Sequence, residues 1–149
     1  MKFLCSPELG RLAKWLRAVG YDATFMTEAI EIPQLLALAT VEDRTILTRL
    51  KKLRGHQGTP VIYIVSDRVE NQIKEVKRSL RIRFSEGHLF TRCIVCNMPV
   101  KFIPKAKVRY KVPPYVFETQ KCFSTCPSCK RVYWAATHYE RAKHFVGLS

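Results

Sequence analysis

Residues 1–26 read MKFLCSPELGRLAKWLRAVGYDATFM, and this stretch decides the fold class. The apolar run Phe3-Leu4-Cys5 is followed by leucines at helical spacing, starting at Leu9, and then by a second apolar run. Ser6-Pro7 favours a helix start, because a Ser hydroxyl can accept an early backbone N–H and Pro is tolerated at the first helical position. Gly20 supplies the matching helix end. The stretch therefore predicts a strand, a helix and a second strand.

The same alternation continues to about residue 88. Residues 33–39 have the pattern of a helix, and residues 45–48 and 61–65 have the patterns of two strands. A last helix is predicted from Asn71 to about Leu80. Because helices separate the four strands, we expect a parallel sheet in an α/β domain.

The charge of the chain is strongly positive and unevenly distributed. Its 149 residues carry a formal net charge of +14, which makes nucleic acid the default partner. Residues 89–149 hold 11 basic and two acidic side chains and five of the six cysteines. We therefore predict two domains, with a boundary near Leu89, covering residues 1–88 and residues 89–149.

The start of the chain has no apolar segment of the signal-peptide type, and no window approaches the roughly 18 apolar residues of a membrane span. We expect a protein that is neither secreted nor in a membrane. The cytoplasm, a reducing compartment, is the predicted location.

Two CxxC pairs stand in the second part, at Cys93-Ile94-Val95-Cys96 and Cys126-Pro127-Ser128-Cys129, with 29 residues between them. This spacing predicts a structural zinc site, because Zn²⁺ takes four thiolates and each CxxC turn presents two. The intervening loop is longer than the usual roughly 15–20 residues. We expect it to form a β-hairpin with strands at residues 100–103 and 115–117. Two disulfides are the alternative, which a reducing compartment disfavours.

Ligand sites in open parallel sheets lie beyond the carboxyl ends of the strands. Three acidic residues follow the predicted strands there, namely Glu28, Glu31 and Asp67. Carboxylates clustered at this edge are the ligands that Mg²⁺ or Mn²⁺ needs for phosphodiester hydrolysis. We treat these three as weak candidates for catalysis.

Motifs spread over nearly the whole chain are shared with a known protein family. They are Leu9-Gly10-Arg11-Leu12-Ala13-Lys14-Trp15-Leu16-Arg17, Gly20-Tyr21-Asp22, Arg44-Thr45-Ile46-Leu47-Thr48-Arg49, Arg92-Cys93-x-x-Cys96-Asn97, Val112-Pro113-Pro114, Cys126-Pro127-x-Cys129 and Val132-Tyr133-Trp134-x-x-Thr137-His138. Together they resemble the Mut-seven C-terminal RNase family. This resemblance implies a PIN-like parallel sheet with flanking helices, followed by a small β-rich zinc ribbon. It also implies metal-dependent RNA cleavage by a small acidic cluster.

Two acidic positions of that family are not acidic in this chain. The family usually has Asp where this chain has Ser6, and its Thr-Arg-Asp triplet appears as Thr48-Arg49-Leu50. Its middle acid falls near Glu31 or Ile32. Because Leu50 has no oxygen to offer a metal, we predict a degenerate, non-catalytic PIN-like domain that still binds RNA.

Basic residues form two candidate RNA-binding groups. The first follows the third strand and the second lies between the CxxC pairs, where cations alternate with aromatic rings that can stack on unpaired bases. They are Arg49, Lys51, Lys52 and Arg54, and then Lys101, Lys105, Lys107, Arg109, Tyr110 and Lys111. Ribosomal RNA or another ribonucleoprotein is one possible setting. The oligomeric state cannot be read from the sequence.

Two other functions fit the same residues. One is an active ribonuclease that uses Glu28, Glu31 and Asp67 to bind Mg²⁺ or Mn²⁺ at a displaced site. The other is a DNA-binding or protein-docking zinc ribbon, since ribbons also serve those roles.

Overall fold

The computed structural model describes residues 1–135 and 137–148. Its first unit is a sheet of four parallel strands, in the order β2-β1-β3-β4. The strands are β1 (Lys2–Cys5), β2 (Asp22–Phe25), β3 (Thr45–Thr48) and β4 (Val61–Tyr63). The helices of this unit are α1 (Gly10–Ala18), α2 (Ile32–Val41) and α3 (Val69–Leu80). The predicted α/β class, with a parallel sheet flanked by helices, is confirmed.

Both faces of the sheet are covered. Phe3 and Cys5 point into a core shared with α1 and α3, while Leu4 and Ile46 point to the opposite face, against α2. All four side chains are fully buried. Continuous apolar runs, rather than alternation with polar residues, are what a parallel sheet with helices on both sides requires.

The start of α1 differs from the prediction, and its end agrees with it. Ser6 is followed by a short 3₁₀ turn, Pro7–Leu9, and its hydroxyl makes no capping bond to the backbone. The Ser6 Oγ instead donates to Glu8 Oε1 at 2.6 Å. At the other end Gly20 has φ +91°, and the N–H groups of Gly20 and Tyr21 bond back to the last turn of α1. This is the left-handed helix end that favours glycine.

The second unit has a small antiparallel sheet in the order β5-β6-β7. Its strands are β5 (Lys101–Ile103), β6 (Phe123–Thr125) and β7 (Val132–Trp134). The predicted strand at residues 115–117 is wrong, because Pro114–Thr119 forms a helix, α4. Pro114 stands at its first position with φ already suited to a helix. Val116 and Phe117 pack from this helix onto the core of the unit.

The last helix, α5 (Thr137–Val146), returns to the first unit. The Phe145 ring stacks on Trp15 of α1 with centroids 3.9 Å apart, and Val146 is buried in the same core. Lys77 of α3 donates to the Val146 carbonyl at 3.1 Å. The domain boundary near Leu89 stays a prediction. None of the helices in residues 1–135 and 137–148 is long and apolar enough to cross a bilayer.

Candidate functional site

Four cysteine side chains converge in the second unit. The sulfurs of Cys93, Cys96, Cys126 and Cys129 all lie within 4.8 Å of one another, and those of Cys93 and Cys129 are 3.7 Å apart. A tetrahedron with Zn–S bonds of about 2.3 Å has S–S edges of roughly 3.8 Å. The four thiols are therefore positioned to bind one metal ion and fit structural zinc.

The two CxxC segments fold into the same turn. In the first, the Cys93 N–H bonds to the Met98 carbonyl and the Asn97 N–H to the Cys93 carbonyl, with Asn97 at φ +62°. In the second, Cys126, Lys130 and Arg131 repeat these two bonds, and Lys130 also has φ +62°. Each turn exposes its two sulfurs on one side, so a pair of turns completes a four-sulfur set.

Hydrogen bonds prepare Cys93 to act as a thiolate. The Tyr133 hydroxyl donates to Cys93 Sγ at 3.1 Å, and the Cys96 N–H donates to it at 3.3 Å. Burial alone would raise the pKa of Cys93, but these bonds lower it to about 6. Burial raises the pKa of Tyr133, which keeps its hydroxyl protonated as the donor. These bonds therefore favour the charged form of Cys93 that binds metal.

Arg17 of α1 connects the first CxxC turn to the sheet. This arginine is 4% exposed, and its Nε donates to the Ala23 carbonyl at 2.7 Å. Its Nη1 donates to the carbonyls of Ile94 and Val95 at 3.0 and 2.9 Å. The residues between the first two cysteines are thus held by a side chain of the α/β unit.

Asn97, directly after that turn, makes a second connection. Its Nδ2 donates to Asp22 Oδ1 at 2.7 Å, and its Oδ1 accepts the Ala23 N–H at 3.1 Å. Arg44 also donates to Asp22 Oδ1, at 2.7 Å. Although partial burial opposes it, hydrogen bonding from Arg44 and Asn97 holds the pKa of Asp22 below its usual value. The cysteine cluster is therefore fixed to the strand edge by a charged network.

The carboxyl edge of the parallel sheet carries an arginine among its acids. The guanidinium of Arg49 lies 2.6 Å from Asp67 Oδ1 and donates to the Ser66 carbonyl at 2.6 Å. Glu8 Oε1 accepts both the Ser6 hydroxyl and, at 3.1 Å, the Arg49 N–H. Arg49 therefore occupies the edge at which a metal-binding acidic cluster was expected.

The three candidate catalytic acids do not come together as a metal site. Glu28 and Glu31 are exposed, on the segment between β2 and α2, while Asp67 pairs with Arg49 after β4. Across residues 1–135 and 137–148, the cysteine cluster is the one group of three or more Cys, His, Asp or Glu side chains arranged to hold a metal.

The first basic group is divided by its contacts. Lys51 and Lys52 are exposed on a short 3₁₀ turn, and Leu50 beside them is 39% exposed. Arg54 lies over the Tyr63 ring, 5.3 Å from its centroid. Because Arg49 is paired with Asp67, the exposed members Lys51, Lys52 and Arg54 are better placed to approach a phosphate.

The second basic group surrounds exposed rings. Lys105 lies over the Phe117 ring at 4.9 Å, and Arg109 lies near the rings of Phe117 and Tyr110. Tyr110 is 93% exposed. Within the described part of the chain, no carboxylate forms an ion pair with the five cations of this group, which are Lys101, Lys105, Lys107, Arg109 and Lys111.

Comparison with known proteins bears on this arrangement. The model of the Mut7-C RNAse domain family matches residues 1–146. The chain belongs to this family. The match covers both the parallel sheet and the four cysteines, so both are parts of the Mut7-C RNAse domain.

A human protein, the exonuclease mut-7 homolog, is 30% identical to this chain over 101 residues. The aligned part is 64% of this chain and 12% of the human protein, so this Mut7-C RNAse domain spans a small fraction of that relative. No solved structure matches the chain.

Sequence reasoning missed several residues of the site. Arg17, Asn97 and Tyr133 stand in the sequence only as parts of shared motifs, and no motif points to Glu8. Nothing in the motif indicates that the Tyr133 hydroxyl bonds to a metal-binding sulfur. An arginine directly after a buried leucine of an amphipathic helix was the available indication for Arg17.

Proposed function

We propose that this chain is an RNA-binding member of the Mut7-C RNAse domain family whose PIN-like unit does not cleave RNA. The observation that carries the proposal is that neither Ser6 nor Leu50 supplies a carboxylate at the carboxyl edge of the sheet, where Arg49 is paired with Asp67. A guanidinium there neutralises a carboxylate that a divalent cation would need. A cation beside the edge also favours a phosphate over a metal ion.

The two departures from the family pattern support the same reading. Ser6 is buried and its hydroxyl donates to Glu8, and the side chain of Leu50 has no oxygen. A catalytic metal pair needs several carboxylate oxygens on both sides of the phosphodiester. Because Glu28, Glu31 and Asp67 do not come together, they do not supply enough carboxylate oxygens for such a pair.

RNA binding is supported by charge and by the family. The chain has a net charge of +14, and in the second unit Arg109 lies beside the ring of Tyr110, which is almost fully exposed. Cations beside exposed rings suit phosphates next to unstacked bases. A ribonuclease family is a family of RNA-contacting proteins, so a non-catalytic member keeps the surface and loses the chemistry.

Zinc has a structural role in this proposal. The four cysteines of the cluster and the tyrosine that bonds to one of them form the centre of a small unit with few buried apolar side chains. Metal binding supplies folding free energy to such units. We place the protein on structured RNA or a ribonucleoprotein, with ribosomal RNA as the first RNA to examine.

The test combines binding and cleavage on the same protein. The zinc-loaded chain is mixed with end-labelled single-stranded and hairpin RNA, with Mg²⁺ or Mn²⁺, at one fixed salt concentration. We expect a shift in RNA mobility with no shortening of the RNA. The double variant Ser6→Asp, Leu50→Asp restores two carboxylates, and Ser6→Asn, Leu50→Asn is its uncharged control. Only the Asp variant is expected to gain Mn²⁺ binding.

Two outcomes would contradict the proposal. Metal-dependent hydrolysis that co-purifies with the unmodified chain and disappears in Glu31→Gln would favour an active ribonuclease with a displaced acidic site. Binding to matched duplex DNA as tight as binding to RNA would favour a DNA-binding ribbon.

A further inference from the structure

A cleft of about 620 Å³ lies where α1, β7 and α5 meet. Its apolar walls are aromatic, and the rings of Trp15, Phe90, Tyr133, Trp134 and Phe145 line it. Each of these side chains is only half-buried. The volume falls within the range of roughly 300–1,000 Å³ that is typical of sites for small ligands.

The rings are held in place from behind. Trp15 stacks on Phe145 with an interplanar angle of 13°, and Trp134 packs against Phe123 of the ribbon core, with centroids 6.4 Å apart. Phe90 and Tyr133 lie nearly parallel at 6.4 Å. Since both units of the protein contribute rings, the cleft exists only when the two are assembled.

The rim of the cleft is basic. Lys14, Arg131, His138 and Arg141 line it, and all four are exposed. Among the described residues that line the cleft, none is acidic. A ligand with a planar, apolar group and an attached negative charge would therefore fit this cleft. Its planar group would contact the aromatic rings, and its negative charge would contact the basic rim.

We propose that this cleft binds one unpaired nucleobase of an RNA ligand, with the adjoining phosphates held by the basic rim. The inference rests on the proposed RNA-binding function and names a specific site for it. Stacking on aromatic side chains accepts any base, because every base has a π-face. An apolar peptide would also fit the rings, but a rim that carries Lys14, Arg131 and Arg141 favours a ligand that carries a phosphate at every unit.

The chain contains a built-in reporter for this site. Its two tryptophans, Trp15 and Trp134, both line the cleft. A base stacked there is expected to change tryptophan fluorescence, whereas neither Lys105 nor Lys107 lines the cleft. The zinc-loaded protein is titrated with labelled single-stranded RNA, and RNA anisotropy and tryptophan emission are followed together.

The matched ligand is an abasic ribose-phosphate strand of the same length, which keeps every charge and removes every base. We expect RNA to quench the tryptophans and, in a Tyr110→Ala background that removes the ring beside Arg109, to bind roughly 5- to 150-fold more tightly than the abasic strand, the range for one stacked base. The abasic strand should leave tryptophan emission unchanged.

A pair of variants on one helix tests the location. His138→Glu places a negative charge on the rim, and His144→Glu makes the same change at an exposed position of α5 that does not line the cleft. We expect His138→Glu to weaken RNA binding roughly tenfold and to abolish quenching. His144→Glu should keep the quenching.

The outcomes separate the two proposals. RNA that raises anisotropy but neither quenches tryptophan nor binds more tightly than the abasic strand would overturn the cleft and leave RNA binding intact. RNA that fails in both readouts would overturn both proposals. Quenching by an acidic peptide with apolar anchors, but not by RNA, would make the cleft a protein-docking site instead.

Discussion

Arg17 joins the two units of the molecule through three backbone carbonyls. It donates to Ala23 in the sheet and to Ile94 and Val95 between the first two cysteines. A buried guanidinium is costly unless its donors are satisfied, and here one carbonyl of β2 and two of the first CxxC turn accept them. Sheet and metal site are therefore expected to be energetically coupled.

Replacing this guanidinium tests the coupling. Arg17→Met keeps the length of the side chain and leaves three carbonyls without their donor, so we expect a loss of about 2–4 kcal/mol of unfolding free energy. Zinc affinity should fall by about tenfold or more, because the turn loses its support. Urea unfolding and chelator competition measure the two effects. Arg11→Met, on the exposed face of the same helix, should change neither.

Asp22 gives the network a pH dependence. Its folded-state pKa is lowered by hydrogen bonds from Arg44 and Asn97, so its stabilisation is present above the unfolded pKa of about 3.9 and disappears as pH falls through the folded value. Asp22→Asn should cost about 1–2 kcal/mol at pH 7. We expect this difference from the unmodified chain to shrink steadily in acid below about pH 4.

Unfolding of both chains at each pH measures that difference, and bound zinc is followed at each pH because Asn97, next to the cysteine cluster, bonds to Asp22. Asp43→Asn is the control, because Asp43 is exposed and forms no ion pair in the described part of the chain. A penalty for Asp22→Asn that stays constant down to pH 2 would contradict the role given to its charge.

At the level of elements, the metal site of the ribbon is formed by two CxxC turns of the same conformation. Cys96→Ser removes a ligand from the first turn, and we expect bound zinc to fall from about one per chain to near zero, with the ribbon unfolding. Cys122→Ser is the control, because Cys122 is exposed and lies outside the cluster. Metal analysis and circular dichroism report the change. Full zinc content in the double variant Cys96→Ser, Cys129→Ser would refute the assignment.

The elements also show what the sequence could reveal. The strand at Thr45–Thr48 and the helix end at Gly20 were predicted correctly, because a run of apolar residues and the left-handed conformation that glycine accepts are local properties of the sequence. Tyr115–Phe117 is an apolar run that suits a strand, but Pro114 at the first helical position and packing on the ribbon core favour a helix. The pairing of the CxxC turns followed from spacing. The contact between Arg49 and Asp67 did not, since it depends on which strands are neighbours.

Across the whole molecule, most of the net positive charge lies in residues 89–149, which hold 11 basic and two acidic side chains. The sheet unit holds ten of the 12 acidic residues. Several of them form ion pairs within the unit, such as Asp22 with Arg44 and Asp67 with Arg49. The ribbon has cations with no such partners in the described residues. An RNA backbone is therefore expected to meet its strongest field at the ribbon.

The salt dependence of RNA affinity measures that distribution. The slope of log K against log salt should be roughly −0.7 for each single-strand phosphate neutralised. Replacing Lys105, Lys107, Arg109 and Lys111 with Gln should flatten it by up to about three units. Gln at Arg49, Lys51 and Lys52 should flatten it by roughly 1.4, because Arg49 is already paired. A charge-matched control carries Gln at Lys2, Arg11, Arg68 and Lys74.

Tyr110→Ala separates stacking from charge on the same surface. Its ring is 93% exposed beside Arg109, so a base stacked on it adds affinity without releasing a counterion. We expect binding to weaken by about 1–3 kcal/mol at every salt concentration, with the slope unchanged. Titrations of single-stranded RNA at several salt concentrations measure both quantities. An unaltered affinity with a normal slope would show that phosphates alone are bound there, and a changed slope would mean that the substitution had moved the neighbouring cations. A base stacked in the aromatic cleft would likewise add affinity without changing the slope. A chain that lacks both the Tyr110 ring and the cleft should therefore bind RNA and the abasic strand equally tightly.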